Sequence, residues 1–207
     1  MKTYFAPAER ADKMNLEKQI AFINDNPIFT SILDSMGGLL AVLNEHRQVL
    51  AINQSLLKHL NIHNSEEFSG LRPGELLDCV YSALEEGGCG TSKYCSSCGA
   101  AIAIVSSLTE DKSKEKICAL RREKDGQIED RALLVRCTPF VLYGKRLLLL
   151  FLQDISEQEQ RAALETIFFH DIANMLSGLL GAAELMDFGT NKPELSTIIR
   201  QNTVRLI

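Results

Sequence analysis

Apolar positions along the chain change period several times, and each change marks an element. From about residue 7 to 36, Leu16, Ile20, Ile23, Phe29, Ile32 and Leu33 recur at helical spacing, interrupted at Asn24-Asp25-Asn26-Pro27. The residue before a proline is pushed out of the α region, so a break or bend in the helical stretch is expected there. Leu39 to Leu43 and Val49 to Ile52 are short apolar runs flanking the polar segment Asn44 to Gln48, the pattern of a β-hairpin. A helix is expected over Gln54 to Leu60, and a longer one from Pro73 through Leu76, Leu77, Val80 and Leu84 to Gly87-Gly88. Another helix, Ala100 to Leu108, precedes three strands at Glu115 to Arg122, Arg131 to Leu142 and Arg146 to Gln153. Asp125-Gly126 and Gly144-Lys145 sit at the turns between them. Leu133, Val135 and Cys137 alternate with Leu134, Arg136 and Thr138, as on a strand with one face buried more deeply.

Beyond Asp154 the pattern is purely helical. Ser156 and Glu159 have capping-box spacing, and no proline or glycine follows until Gly178. Leu164, Phe168, Ile172, Met175, Leu179, Ala182 and Met186 fall on one stripe, with His170, Asn174, Ser177 and Gly181 opposite. After the connection Asp187 to Lys192, Pro193 opens a second helix carrying Leu195, Ile198, Ile199, Val204 and Leu206. Two helices joined so closely pack antiparallel, and a lone hairpin with a wide apolar stripe needs a second copy to cover it. A homodimer built on a four-helix bundle is therefore expected.

The fold class is α+β. The order of strand pair, short helices and three antiparallel strands resembles the PAS sensor domain, which folds a five-stranded antiparallel sheet against flanking helices. The resemblance places a helical cap at 1–25, the PAS-like domain at 26–154 and the helical hairpin at 155–207. Asp154-Ile155-Ser156 resembles the short signature that often ends such a domain.

A net charge of −5, with Lys and Arg scattered, removes the basic stripe that a nucleic-acid partner requires. The longest apolar run, Leu147 to Leu152, is far short of the roughly 20 residues that span a bilayer. With a charged opening in place of a secretory signal, a cytoplasmic protein with no membrane partner is expected.

Six cysteines are many for such a chain. Cys79, Cys89, Cys95 and Cys98 follow a C-x9-C-x5-C-x2-C pattern, and the last pair has the spacing that lets two sulfurs share an ion. Gly87, Gly88 and Gly90 supply the tight backbone of such a knuckle. Four thiolates suit structural zinc or an iron–sulfur cluster; a thiol–disulfide switch and unligated core cysteines stay open beside them. Cys118 and Cys137 read as small core residues, and His46, His59 and His63 as surface or loop residues.

Phe169-His170-Asp171-Ile172-Ala173-Asn174 resembles the phosphoacceptor motif of sensor histidine kinases, a His-Asp/Glu-x-x-Asn/Thr sequence on the first helix of a dimerisation hairpin. The resemblance implies that His170 accepts the γ-phosphoryl group of ATP, that Asp171 keeps the attacking nitrogen neutral, and that Asn174 orients water for the reverse dephosphorylation. It also implies two partners, a response-regulator receiver domain and an ATP-binding domain. Nothing in the 207 residues resembles that second domain's Asn-rich helix and Gly-rich lid. ATP would thus act only through a domain of the full-length kinase, this sequence being its sensory and phosphoacceptor portion. The alternative is a non-catalytic metal- or redox-binding module that dimerises and docks a partner.

Overall fold

The computed structural model describes residues 2–124, 126–187 and 197. The chain divides into two compact units, residues 1–156 and 157–207.

In the first unit, α1 (Lys13–Asn24) and α2 (Pro27–Ser35) meet at the expected break. Asp12 caps α1 by accepting from the Asn15 amide, and Asn26 caps α2 by accepting from Phe29. Strands β1 (Leu39–Leu43) and β2 (Val49–Ile52) form the hairpin. After α3 (Gln54–Leu60) and the single turn α4 (Pro73–Leu76) come α5 (Gly99–Glu110), β3 (Lys114–Lys124), β4 (Gln127–Leu142) and β5 (Lys145–Asp154). The five strands make one antiparallel sheet in the order β2-β1-β5-β4-β3. A five-stranded antiparallel sheet with flanking helices is the PAS-like arrangement expected for this unit.

The sheet is buried on both faces where β1, β2 and β5 lie. Leu148, Leu150 and Leu152 join Ala41, Val135 and Ile104 of α5 in one core cluster. Leu147, Leu149 and Phe151 point the other way, into a cluster with Ile23 of α1 and Leu33 of α2. Strand alternation thus assigns one face of β5 to the cysteine-bearing side and the other to the N-terminal helices.

Asn53 fixes the hairpin to α3. Fully buried, its side chain accepts from the Leu40 and Leu56 amides at 3.1 and 3.0 Å and donates to the Gly38 carbonyl at 3.0 Å. Replacing it with alanine removes a helix cap and strands buried backbone groups. A loss of about 3 kcal/mol in urea-measured stability is expected for Asn53→Ala.

Two sequence expectations change here. The helix from Pro73 does not run to Gly87; it stops after one turn, because Asp78 takes a left-handed φ of 55° and turns the chain toward β3. Cys79 is therefore not in mid-helix but in an isolated bridge with Arg122. The expected capping box is also replaced. The Ser156 hydroxyl accepts from the Ala132 amide of β4 at 3.0 Å, and the Asp154 carboxylate accepts from the Ser156 amide at 2.9 Å. These two bonds hold Ser156, the last residue of the first unit, at the end of the sheet.

Helix α6 (Ser156–Asp187) provides the second unit's described part. Asp187, expected to open the connection, ends α6; the rest of the connection, 188–192, and the second helix from Pro193 lie outside the described residues, Thr197 apart, which is helical. Among the described residues no helix is long and apolar enough to cross a membrane.

Candidate functional site

Five of the six cysteines border one cavity of about 220 Å³ on the α5 side of the sheet. Each reaches it from a different local structure. Cys79 follows the left-handed turn at Asp78, its amide bound to the Gly74 carbonyl at 2.8 Å. Cys89 lies between Gly88 and Gly90, whose positive φ angles of 79° and 95° curl the loop inward. Its sulfur accepts from the Gly74 amide at 3.3 Å, and a Cβ on Gly74 would come within 2.7 Å of that sulfur. Cys95 sits in a 3₁₀ turn, Lys93–Ser96, with its sulfur 3.3 Å from the Ser92 hydroxyl. Cys98 is the N-cap of α5.

The fifth is Cys118, on β3. Its sulfur lies 3.7 Å from that of Cys98, so its sequence reading as a plain core residue is incomplete. Cys137 is buried in the same core cluster and does not border the cavity. Leu77, Ile104, Leu120, Val135 and Leu152 are among the wall residues, and the walls are mostly apolar. Among the described residues no three His, Cys, Asp or Glu side chains are drawn together tightly enough to hold one ion.

The thiols differ electrostatically. Burial pushes Cys89 up to about 12 and also raises Cys79. Cys98 is held below the usual thiol range, first by the hydrogen bond from Cys118, then by the Ala101 and Ala100 amides at the start of α5, with burial opposing. Cys118 shifts upward for the complementary reason: it donates to Cys98.

Behind the cysteine loop lies a cluster of arginines. Fully buried Arg72 donates to six carbonyls: Nη2 to Glu9 at 2.7 Å, Ala8 at 3.2 Å and Pro7 at 3.4 Å, Nη1 to Gly87 at 2.8 Å and Cys89 at 3.3 Å, and Nε to His46 at 3.2 Å. Burial, then the charges of Arg47 and Arg10, lowers Arg72 to about 10, which leaves it charged at neutral pH. Arg47 donates to Pro7 at 2.6 Å, while its Nε is buried without a partner. Glu75 pairs with Arg10 and accepts from the Cys89 amide at 3.1 Å.

In the second unit, His170, Asp171 and Asn174 occupy adjacent positions on α6. His170 Nδ1 is 3.4 Å from Asp171 Oδ1, and Asn174 Nδ2 lies 3.2 Å from Nδ1 and 3.3 Å from Nε2. The His170 and Asp171 side chains are 71% and 65% exposed. One tautomer satisfies both neighbours: Nδ1–H donates to Asp171, and the Nε2 lone pair accepts from Asn174. Leu164, Phe168, Leu176 and Leu180 on the same helix are also exposed.

No protein-family model matches the sequence, and no curated protein matches it. Solved structures do. The PAS domain of an HTR-like protein from Haloarcula marismortui is 15% identical, covering 69% of this chain and all of its own at a TM-score of 0.41. The PAS domain of Bordetella pertussis BvgS is 11% identical, covering 71% and 98% at 0.43. A Rhodobacter sphaeroides LOV protein is 13% identical, covering 92% of each chain at 0.44. All three fall below 25% identity and a TM-score of 0.5, so the architecture rests on the strand order and pairing described above.

Proposed function

We propose that this chain is the sensory and phosphoacceptor portion of a cytoplasmic, dimeric two-component histidine kinase. The observation that carries this reading is the exposed imidazole of His170 held between Asp171 and Asn174. As Asn174 gives up its hydrogen bond to Nε2, the freed lone pair attacks the γ-phosphorus of ATP bound on a separate domain, and the bond to the ADP oxygen breaks. Asp171 takes up the Nδ1 proton, so the phosphorylated ring ends neutral. The phosphoryl group then passes to an aspartate of a response-regulator receiver domain. Exposed apolar side chains on α6 support a second copy of the chain as the partner in a helical bundle.

The full 207-residue chain, mixed with a histidine-kinase ATP-binding domain and radiolabelled ATP, is expected to acquire acid-labile label. His170→Gln should reduce that label at least 100-fold. Equal labelling of the two proteins would remove the phosphoacceptor assignment and favour a metal- or redox-binding module that signals without phosphotransfer.

For the sensory end we propose that Cys79, Cys89, Cys95 and Cys98 hold zinc or an iron–sulfur cluster. The donor set fits: four thiols face one cavity, and N–H and O–H donors lie at the sulfurs of Cys89 and Cys95. Zinc would stabilise the loop; a cluster would make it responsive to oxidants.

A further inference from the structure

We infer that this four-cysteine cavity takes a polynuclear iron–sulfur cluster and not a single zinc ion. The inference rests on the reading of Cys79, Cys89, Cys95 and Cys98 as ligands. Four thiolates bound to one zinc at about 2.3 Å stand only about 3.8 Å from one another. Here the four sulfurs are spread around about 220 Å³ and do not converge in threes, while the close sulfur pair, Cys98 with Cys118, reaches outside the set. A cluster fills such a space because iron and sulfide stand between the thiolates. Its ligands are held apart, each by a separate piece of backbone.

The surroundings suit that occupant. Apolar side chains from β3, β4, β5 and α5 line the cavity and limit water access, one of the features that sets a cluster's potential. Four thiolates around a core of charge +2 leave a net charge of −2. Arg10, Arg47 and Arg72 against Glu75 leave two positive charges in the cluster behind the loop. Among the described residues the buried Arg47 Nε lacks a partner there. The same balance would hold for zinc, so charge supports a metal–thiolate centre of either kind and cavity size selects the cluster.

The test is composition. Full chain is purified without oxygen, and separate portions are loaded with ferrous iron plus sulfide or with zinc chloride. Iron, acid-labile sulfide and zinc are then measured with the visible spectrum. The expected result is iron and sulfide in equal amounts, two or more of each per chain, with visible absorption that Cys95→Ala and Cys98→Ala each abolish. Cys137→Ala should keep it. The wild-type metal content decides even where a cysteine variant fails to fold. One zinc per chain without sulfide would overturn the cluster and leave the ligand reading intact. No metal retained under either loading would overturn both.

Discussion

Replacing Arg72 with leucine is expected to lower the unfolding free energy by about 3 to 5 kcal/mol, the scale of taking the donor from several buried acceptors at once. The guanidinium lies at 0% exposure, and its six carbonyl acceptors come from three separated stretches: the N-terminal arm, the β1–β2 turn and the cysteine loop. Leucine fills part of the volume but takes the arginine donor from the Ala8, Glu9, His46 and Cys89 carbonyls, each then a desolvated polar group, while Pro7 keeps Arg47 and Gly87 keeps Arg10. The N-terminal arm keeps its backbone bonds from Tyr4 to Thr91 and Ala6 to Gly90, both 2.9 Å, together with the Arg47 bond to Pro7 and the Arg10–Glu75 pair. Urea titration measures the loss. Arg146→Leu provides a scale, because its ion pair with Asp111 is exposed and should contribute less than about 1 kcal/mol. Equal effects of the two substitutions would show that Arg72 does not organise this region.

Arg72 also shows where sequence reading stops. In Ser-Gly-Leu-Arg-Pro it is an ordinary charge before a proline, and nothing local announces six acceptors from segments up to 65 positions away. Local signals were sufficient elsewhere. The polar break between two apolar runs located β1 and β2, proline and asparagine located the α1–α2 break, and the alternation on β4 matches its buried Leu133, Val135 and Cys137. The strands extend a few residues beyond their apolar cores because pairing continues through charged ladders such as Arg121 with Asp130, which hydrophobic pattern does not register. Helical periodicity failed after Leu76, where apolar residues at helical spacing line a turn redirected by Asp78. The reading of Cys118 as a small core residue agrees with its burial but does not include its sulfur neighbour. Its place on an inward strand face was legible, but its contact with Cys98 depends on how α5 packs on β3.

That packing has a sharp steric requirement at Gly99, the first residue of α5. Judged by helix propensity, Gly99→Ala should stabilise the chain, since glycine is worse than alanine by about 1 kcal/mol in a helix. The tertiary contact outweighs it. A Cβ at this position would fall on the Ile117 carbonyl oxygen, 2.7 Å from the carbonyl carbon and 3.2 Å from the Cys118 amide nitrogen. Those are backbone atoms held in the β3–β4 ladder, so no rotamer change relieves the overlap and the helix start must move away from the strand. Gly99→Ala is expected to cost about 2 to 3 kcal/mol net, in the range of overpacked cores. The displacement carries Cys98 with it, as N-cap of the same helix, and separates its sulfur from Cys118. Two measurements distinguish this from general loosening. Urea titration should report the stability loss, and thiol titration of the metal-free protein should show Cys98 reacting over a higher pH range, because the hydrogen bond that chiefly lowers it has been stretched. An unchanged Cys98 profile in a destabilised Gly99→Ala protein would mean that the strand yields and the helix stays.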